Sequence, residues 1–317
     1  MNIKQQVEVA LTEAIELRRD FHAYPELGFQ EHRTAGKVEE FLRGLGLAPV
    51  RVAGTGVSAV LEGVFPGPTL MLRADIDALP IQEENTISYA SRNPGVMHAC
   101  GHDAHTAMLL SAARILCSYT DKIAGRIKFV FQPNEEVSGA AELVRQGVMD
   151  NPAVDAALGV HIWSPLRSGE IGIKEGACMA SMDVFKITLF GQGGHTGYPE
   201  SAIDPILAAA DLIQSAQIIQ TRQISLMKPT VLMFGKVSAG SKNNIIPDQA
   251  VLEGSLRYLY AGGPASEERP SERLESIVKQ VCGMHGCTYS FEVHQENHAV
   301  INDRGMVNLA RQVAVEM

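Results

Sequence analysis

An α/β fold in two parts is what these 317 residues predict: a main domain over residues 1–180, interrupted by an inserted ferredoxin-like βαββαβ unit over 181–294, with 295–317 returning to the main domain. Three observations predict it. The length exceeds what one ordinary core fills and suggests two domains of roughly 100–200 residues each. Runs with helical spacing alternate with short β-branched runs as far as about residue 180, and from Met182 the order changes to strand, helix, strand, strand, helix, strand. The 45% hydrophobic and 20% charged content is that of a globular chain able to bury a sizeable core.

Taken in order, residues 3–22 carry Ile3, Val7, Leu11, Ala14, Ile15 and Phe21 at amphipathic-helix spacing. A second helix is expected over about 31–45, with Val38, Phe41, Leu42 and Leu45 on one stripe, and YPELGFQE separates the two with Pro and Gly punctuation. VSAVLEG and TLMLRAD read as short strands, followed by Pro80 and a polar loop to about 95. Ala104 to Tyr119 reads as a mostly buried helix, then GRIKFVFQP and AALGVHI, at 156–162, read as strands. Such alternation gives a sheet of parallel character, whose strand carboxyl ends collect ligand sites. In the inserted unit the strands are DVFKITLFG, TVLMFGKVSA, AVLEGSLRYL and TYSFEVH, with helices over about 203–220 and 268–285. The tail GMVNLARQVAVEM has helical spacing without a Gly, Asn or Pro stop, so the chain is expected to end inside a helix.

A formal net charge of −9 excludes a nucleic-acid surface, because no window supplies the clustered Lys/Arg excess that phosphates require. The partner expected is a small molecule. An anionic one has to be met by a local positive feature, either metal ions or one Arg, against an unfavourable overall field. No apolar core of signal-peptide length and no run of ~20 apolar residues is present, so no membrane association and a cytoplasmic location are expected. Cys100, Cys117, Cys178, Cys282 and Cys287 form an odd, scattered set, which fits a reducing compartment.

The densest chemistry is His98-Ala-Cys100-Gly-His102-Asp103-Ala-His105. On a strand-like or loop segment Cys100 and His102 share a face, and both are good ligands for borderline metals such as Zn²⁺; Asp103 and His105 are then expected to orient a ligand imidazole. Three His and a Cys in so short a stretch also arise by coincidence in a cytosolic loop. Gln132-Pro133-Asn134-Glu135-Glu136 follows a buried strand. An adjacent Glu pair there reads either as a solvated loop edge or as two carboxylates with separate tasks, one binding metal and the other acting as general base toward water acidified by the cations. His161, at the end of AALGVHI, reads alone as a core histidine. Its placement at a strand end with Cys100, His102 and Glu136 favours converging ligands.

In this order, LRRDFHAYPELGFQE, LRADIDALP, MHACGHDAH, FQPNEE, GVHIW, GGHTGYPE, NIIPD and GSLR resemble the hippurate hydrolase, N-acyl-amino-acid amidohydrolase and auxin-conjugate hydrolase branch of the aminoacylase/carboxypeptidase metallohydrolases. The resemblance spans about residues 17–257. It implies a zinc-peptidase-like catalytic domain with the inserted unit as lid and dimerisation domain, a homodimer, and a binuclear site for Zn, Mn, Co or Ni. Cys100, His102, Glu136 and His161 are the implied metal ligands and Glu135 the base. Other branches carry a His-x-Asp pair where this chain has Asp75-Ile-Asp77, so Cys100 stands as this branch's substitute ligand. Asp77 is the implied supporting carboxylate, with a helix or turn cap as its alternative reading.

The same resemblance makes His195 the lid histidine that reaches the reacting carbonyl, often from the partner subunit, against the reading of a structural His in a Gly turn. Asn244 and Arg257 match its substrate-facing polar groups; an Arg suits a free carboxylate, although a strand-end surface Arg is the competing reading. The activity implied is hydrolysis of N-acyl amino acids to a carboxylic acid and an amino acid, with a dipeptidase or carboxypeptidase as runner-up. The branch has a further metal-ligating His nearer the C-terminus. This sequence reaches Met317 before any such block, so a truncated, catalytically impaired form that only binds ligand is the rival expectation.

Overall fold

The computed structural model describes residues 3–262 and 266–316. They fall into two compact units, Met1–Glu170 and Ile171–Met317.

The first unit opens with helices α1 (Ile3–Ala23) and α2 (His32–Gly44), strands β1 (Val50–Val52), β2 (Gly56–Glu62) and β3 (Phe65–Asp75), helix α3 (His102–Cys117), strand β4 (Ala124–Gln132), the short helix α4 (Gly139–Arg145) and strand β5 (Ala156–Gly159). The sheet order is β1-β2-β4-β3-β5. β3 runs parallel to both β4 and β5, while β2 is antiparallel to β4 and to β1, so the parallel character expected holds only in the half that carries the site.

β4 lies between β2 and β3, and from Ile127 onward it is buried on both faces, the pattern of an inner strand covered on each side. Ile127, Phe129 and Phe131 join a core with Phe21, Val38, Leu42, Val57, Ile76 and Leu110. Val130 faces the other way, onto Leu143 of α4 and Val148. Parallel pairing sets Asp75 beside Gln132 and Arg73 beside Gly159. The chain therefore leaves β3, β4 and β5 at one end of the sheet, where α3 begins.

A buried ionic group ties α1 to that end. His22 has one ring nitrogen 2.8 Å from Asp103 on α3 and the other 3.1 Å from Glu83 in the loop after β3. Two carboxylates can both accept from one imidazole only when both nitrogens carry hydrogen, so His22 is an imidazolium. The hydrogen bond to Asp103 raises its pKa above the usual 6.5, burial opposes this, and Glu83 reinforces it.

In the second unit the elements are β6 (Gly176–Met179), β7 (Ser181–Phe190), β8 (Gly194–His195), α5 (Pro205–Ala216), β9 (Thr230–Ala239), β10 (Ile245–Ile246), β11 (Gln249–Tyr258), α6 (Pro270–His285), β12 (Thr288–Asn297), β13 (Val300–Asn302) and α7 (Arg304–Glu316). The antiparallel sheet β12-β7-β11-β9 with α5 and α6 is the expected βαββαβ unit. Alternation along β7 and β11 turns Phe185, Ile187, Leu189, Leu252 and Leu256 toward Leu212, Leu274 and Val278 of the helices. α5 is shorter than the 203–220 expected: Asp204 caps it by accepting from Ile206 N–H at 2.8 Å, and a wider turn over Ile219–Gln223 follows its end.

Because the folded pKa of His22 is raised, its contribution to stability is complete below the unfolded value of about 6.5 and is lost as pH rises through the folded value. Calorimetric melting of the parent and of His22→Gln from pH 5.5 to 9 should show the parent's advantage largest at the acid end and shrinking toward the basic end; an advantage that grows with pH refutes the imidazolium.

Candidate metal centre

Four segments meet beyond the ends of β3, β4 and β5. Cys100 precedes α3 across Gly101, whose φ of +90° is left-handed backbone that a side chain rarely adopts. His102 is the first residue of α3, so the strand-like or loop segment expected to carry both Cys100 and His102 ends at Gly101. The shared direction of the pair comes from that turn. β4 is followed by Asn134 at φ +50° and by a tight turn over Glu135–Val137. β5 stops at Gly159, so His161 lies in the following loop and not on a strand. It leaves the ladder because Ile162 N–H donates to His105 Nε2 at 2.8 Å instead of pairing with β3.

The donor atoms of Cys100, His102 and His161 lie within 4.8 Å of one another, as do those of His102, Glu135 and Glu136. Cys100 Sγ is 3.4 Å from His161 Nε2, and His102 Nε2 is 3.9 Å from both Glu135 Oε2 and Glu136 Oε1. Such separations suit donors at about 2.0–2.3 Å from a shared cation. Two of these atoms, His102 Nε2 and Glu136 Oε1, are buried without a hydrogen-bond partner. Buried polar atoms without partners are costly, and a cation would satisfy both.

The far sides of the same residues are held. His102 Nδ1 is 2.9 Å from the Asp77 carbonyl and 3.2 Å from its carboxylate, so it donates there and leaves Nε2 to face the acids. His161 Nδ1 donates to the Ile162 carbonyl, again freeing Nε2. Asp77 Oδ2 accepts from Glu136 N–H at 3.1 Å. Asp75, His102 and His105 also cluster, but there the donors are spent: His105 Nδ1 donates to Asp75 Oδ1 at 2.6 Å, His105 Nε2 accepts from Ile162, and Asp75 Oδ2 accepts from Arg73 at 2.7 Å. Cys100, His102, Glu135, Glu136 and His161 are thus the residues that can hold divalent cations.

Electrostatics show that a cation at His102 has to displace a proton from Nε2, because metal ligands bind deprotonated. Burial by itself lowers His102, but its interactions with Asp77 and Cys100 and the charge of Asp75 outweigh it and push it up to about 11. Interactions with His102 and His161 draw the Cys100 thiol below its usual value, toward the thiolate that metals take. Burial pushes the Glu135 carboxyl up, which brings a carboxylate nearer to the range of a neutral-pH base. For Asp75 burial acts upward, yet the His105 hydrogen bond and the charge of Arg73 leave it well below the carboxylate range.

Neither Asp103 nor His105 orients the ligand imidazole, contrary to expectation: Asp103 is taken by His22, and the backbone carbonyl and carboxylate of Asp77 do that work for His102. Arg73, His22 and Glu83 were not singled out from the sequence. Each is an ordinary charged residue in its own segment, and only its partner across the fold distinguishes it. In the second unit, β8 pairs with β10 so that His195 lies opposite Ile245, next to Asn244, whose carbonyl accepts from Thr196 N–H. His195 is exposed, and its Nδ1 accepts from Gly197 N–H at 3.0 Å, which places the neutral ring's hydrogen on Nε2. Arg257 is not part of that pair; it is exposed on β11 between Met182 and Val231.

An α/β unit with converging Cys, His and Glu donors, in a chain that also carries a ferredoxin-like unit, defines a metallohydrolase. The chain belongs to the peptidase family M20/M25/M40, which matches residues 71–317. It is 43% identical over 303 residues to an N-acyl-L-amino acid amidohydrolase of Geobacillus stearothermophilus, covering 95% of this chain and 80% of that protein. It is 38% identical over 309 residues to an N-acetylcysteine deacetylase of Bacillus subtilis, covering 96% and 80%. The crystal structure of a dinuclear metal-binding M20 peptidase from Bacillus subtilis superposes with a TM-score of 0.85 at 35% identity, covering 98% of this chain and 80% of that one.

Asp77→Ala should lower zinc affinity by about 10–100-fold, the usual cost of removing a group that orients a ligand. Cys100→Ser should lower metal occupancy outright. Chelator competition with metal analysis reads both, and parent-like binding in either variant removes that residue from the centre.

Proposed function

We propose that this chain hydrolyses the amide bond of N-acyl amino acids of the hippurate kind, yielding a carboxylic acid and an amino acid. The observation that carries the proposal is Glu135: a carboxylate raised by burial, 3.9 Å from His102 and adjacent in sequence to Glu136, in a chain whose relatives include a named N-acyl-amino-acid amidohydrolase.

Two divalent cations, Zn, Mn, Co or Ni, would be held by Cys100, His102, Glu136 and His161; when bound, they supply the Lewis acidity that lowers the pKa of water and polarises the scissile carbonyl. Glu135 takes the proton from the attacking water and returns it to the leaving nitrogen. Asp77 keeps His102 and the Glu136 backbone in register. His195, with hydrogen on Nε2, donates to the carbonyl oxygen as negative charge develops there. Asn244 holds a polar group of the substrate, and Arg257 its free carboxylate. Residues 181–294 act as lid and dimerisation domain, so that His195 serves the partner's site in a homodimer. A cytoplasmic setting fits five free cysteines.

A second reading, a metallo-dipeptidase or carboxypeptidase, is favoured by the Bacillus subtilis structure being named a peptidase. Metal content per chain together with benzoate release from benzoyl-glycine decides between them. Two metals with turnover support the amidohydrolase; dipeptide cleavage without benzoate release supports the second reading. Ligand retention without any turnover leaves a binding protein.

Glu135→Gln should keep the metals and the fold while kcat falls by at least about 100-fold, the scale of a lost general base. Normal turnover in that variant sinks the assignment. His195→Ala should depress kcat far more than it raises KM and leave metal binding untouched, because an oxyanion contact strengthens only toward the transition state. Mixing exchanging Glu135→Gln and His195→Ala subunits should restore part of the activity; a dead mixture refutes the trans arrangement.

A further inference from the structure

Glu31 stands between α1 and α2, is 0% exposed, and lies far in sequence from every residue of the centre. A carboxylate is placed in such a position only where something specific holds it, since burial opposes its charge. Its position immediately before α2 suggests a helix cap, yet its side chain makes no capping bond there. Glu26 performs that task by accepting from Arg33 N–H at 3.0 Å and from Thr34 N–H at 2.8 Å. Glu31 reaches across the fold instead. One oxygen accepts from the Asn134 backbone N–H at 2.9 Å and the other from the Thr55 hydroxyl.

Asn134 is the residue that turns the chain out of β4. It has φ +50° and ψ +44°, a left-handed conformation costly for a side-chain-bearing residue, and Glu135 and Glu136 follow directly. The same segment that carries Glu31 presses on it from the side: a Cβ on Gly28 would lie 1.9 Å from Asn134 Oδ1. The amide of Glu136 is in turn held by Asp77 at 3.1 Å. The backbone on either side of Glu135 is thus gripped by two buried carboxylates from two different segments, Glu31 before it and Asp77 after it.

We propose that Glu31 is a positioning residue for the Glu135–Glu136 pair: its carboxylate holds the Asn134 amide, and with it the left-handed turn that aims both acids at His102. The proposal rests on Glu135 and Glu136 serving the metal centre as described above. It assigns the YPELGFQE segment, otherwise a connection between two helices, a place in the site.

The test uses the full chain and its Glu31→Ala and Glu31→Gln variants, with zinc affinity read by chelator competition and Asn134 amide exchange read by NMR. Glu31→Ala should lose about 10–100-fold in zinc affinity and the protection of the Asn134 amide. Glu31→Gln retains an acceptor oxygen for that amide and should stay close to the parent on both. Parent-like affinity with a protected amide in Glu31→Ala overturns the proposal, as does a Glu31→Gln variant as impaired as Glu31→Ala. Should Glu31→Ala fail to fold, Glu31→Met removes the acceptor at similar side-chain length, and an Asn134 amide that exchanges freely in the parent overturns the proposal by itself. A parent that takes up no zinc defeats the metal-site reading instead, and Asn134 exchange then decides the grip alone.

Discussion

The carboxylate of Asp77 is the interaction on which the first unit's site depends. It lies two residues past β3, is almost fully buried, and holds two things at once: the His102 imidazole at the start of α3 and the Glu136 amide after β4. Parallel pairing of β3 with β4 makes this possible, because it brings Asp75 and Gln132 level and delivers both following loops to one end of the sheet. An antiparallel pair would send the two loops to opposite ends. The mixed sheet, with its parallel strands confined to β3, β4 and β5, is therefore the minimum that gathers the donors.

Around that anchor lies a dense set of acids and imidazoles, which water alone does not solvate. Most are neutralised in pairs. Asp75 is bracketed by Arg73 and His105, and Asp103 and Glu83 by His22. In each pair the acid is buried and hydrogen-bonded, the condition under which buried charge is tolerated. Among the buried atoms left without a partner, His102 Nε2 and Glu136 Oε1 belong to the Cys100, His102, His161 and His102, Glu135, Glu136 clusters, whereas both ring nitrogens of His98 and Asp103 Oδ1 are unpartnered outside them. The difference within the motif is chemical: both nitrogens of His105 are spent on protein partners, while His102 keeps Nε2 free and clusters with Cys100, His161 and the two glutamates.

The second unit solves a simpler problem. Its sheet is covered by α5 and α6 on one face, with an apolar core between, and its short β8–β10 pair carries His195 and Asn244 clear of that core. The Gly197 amide fixes the His195 tautomer locally, within two residues, so the ring is prepared to donate from Nε2 without help from any distant group.

Much of this was legible in the sequence. The helices of α1, α3 and α6 follow from apolar spacing, the βαββαβ order from the alternation of runs after Met182, and the family from eight ordered blocks, because each of these is carried by residues close to one another in the chain. Cys100, His102, Glu135, Glu136 and His161 were named in advance for the same reason. Their grouping was reached by a partly wrong route, since the shared face of a strand-like or loop segment was invoked for Cys100 and His102 where a left-handed glycine turn leads into α3 at His102. Only the tertiary structure decided which nitrogens of the motif stay open and which are consumed: what an imidazole can still offer depends on what occupies its nitrogens, and for His102, His105 and His22 a partner lies between 25 and 81 residues away. Local sequence specifies donors and acceptors, but it holds no record of which lone pairs long-range pairing will consume.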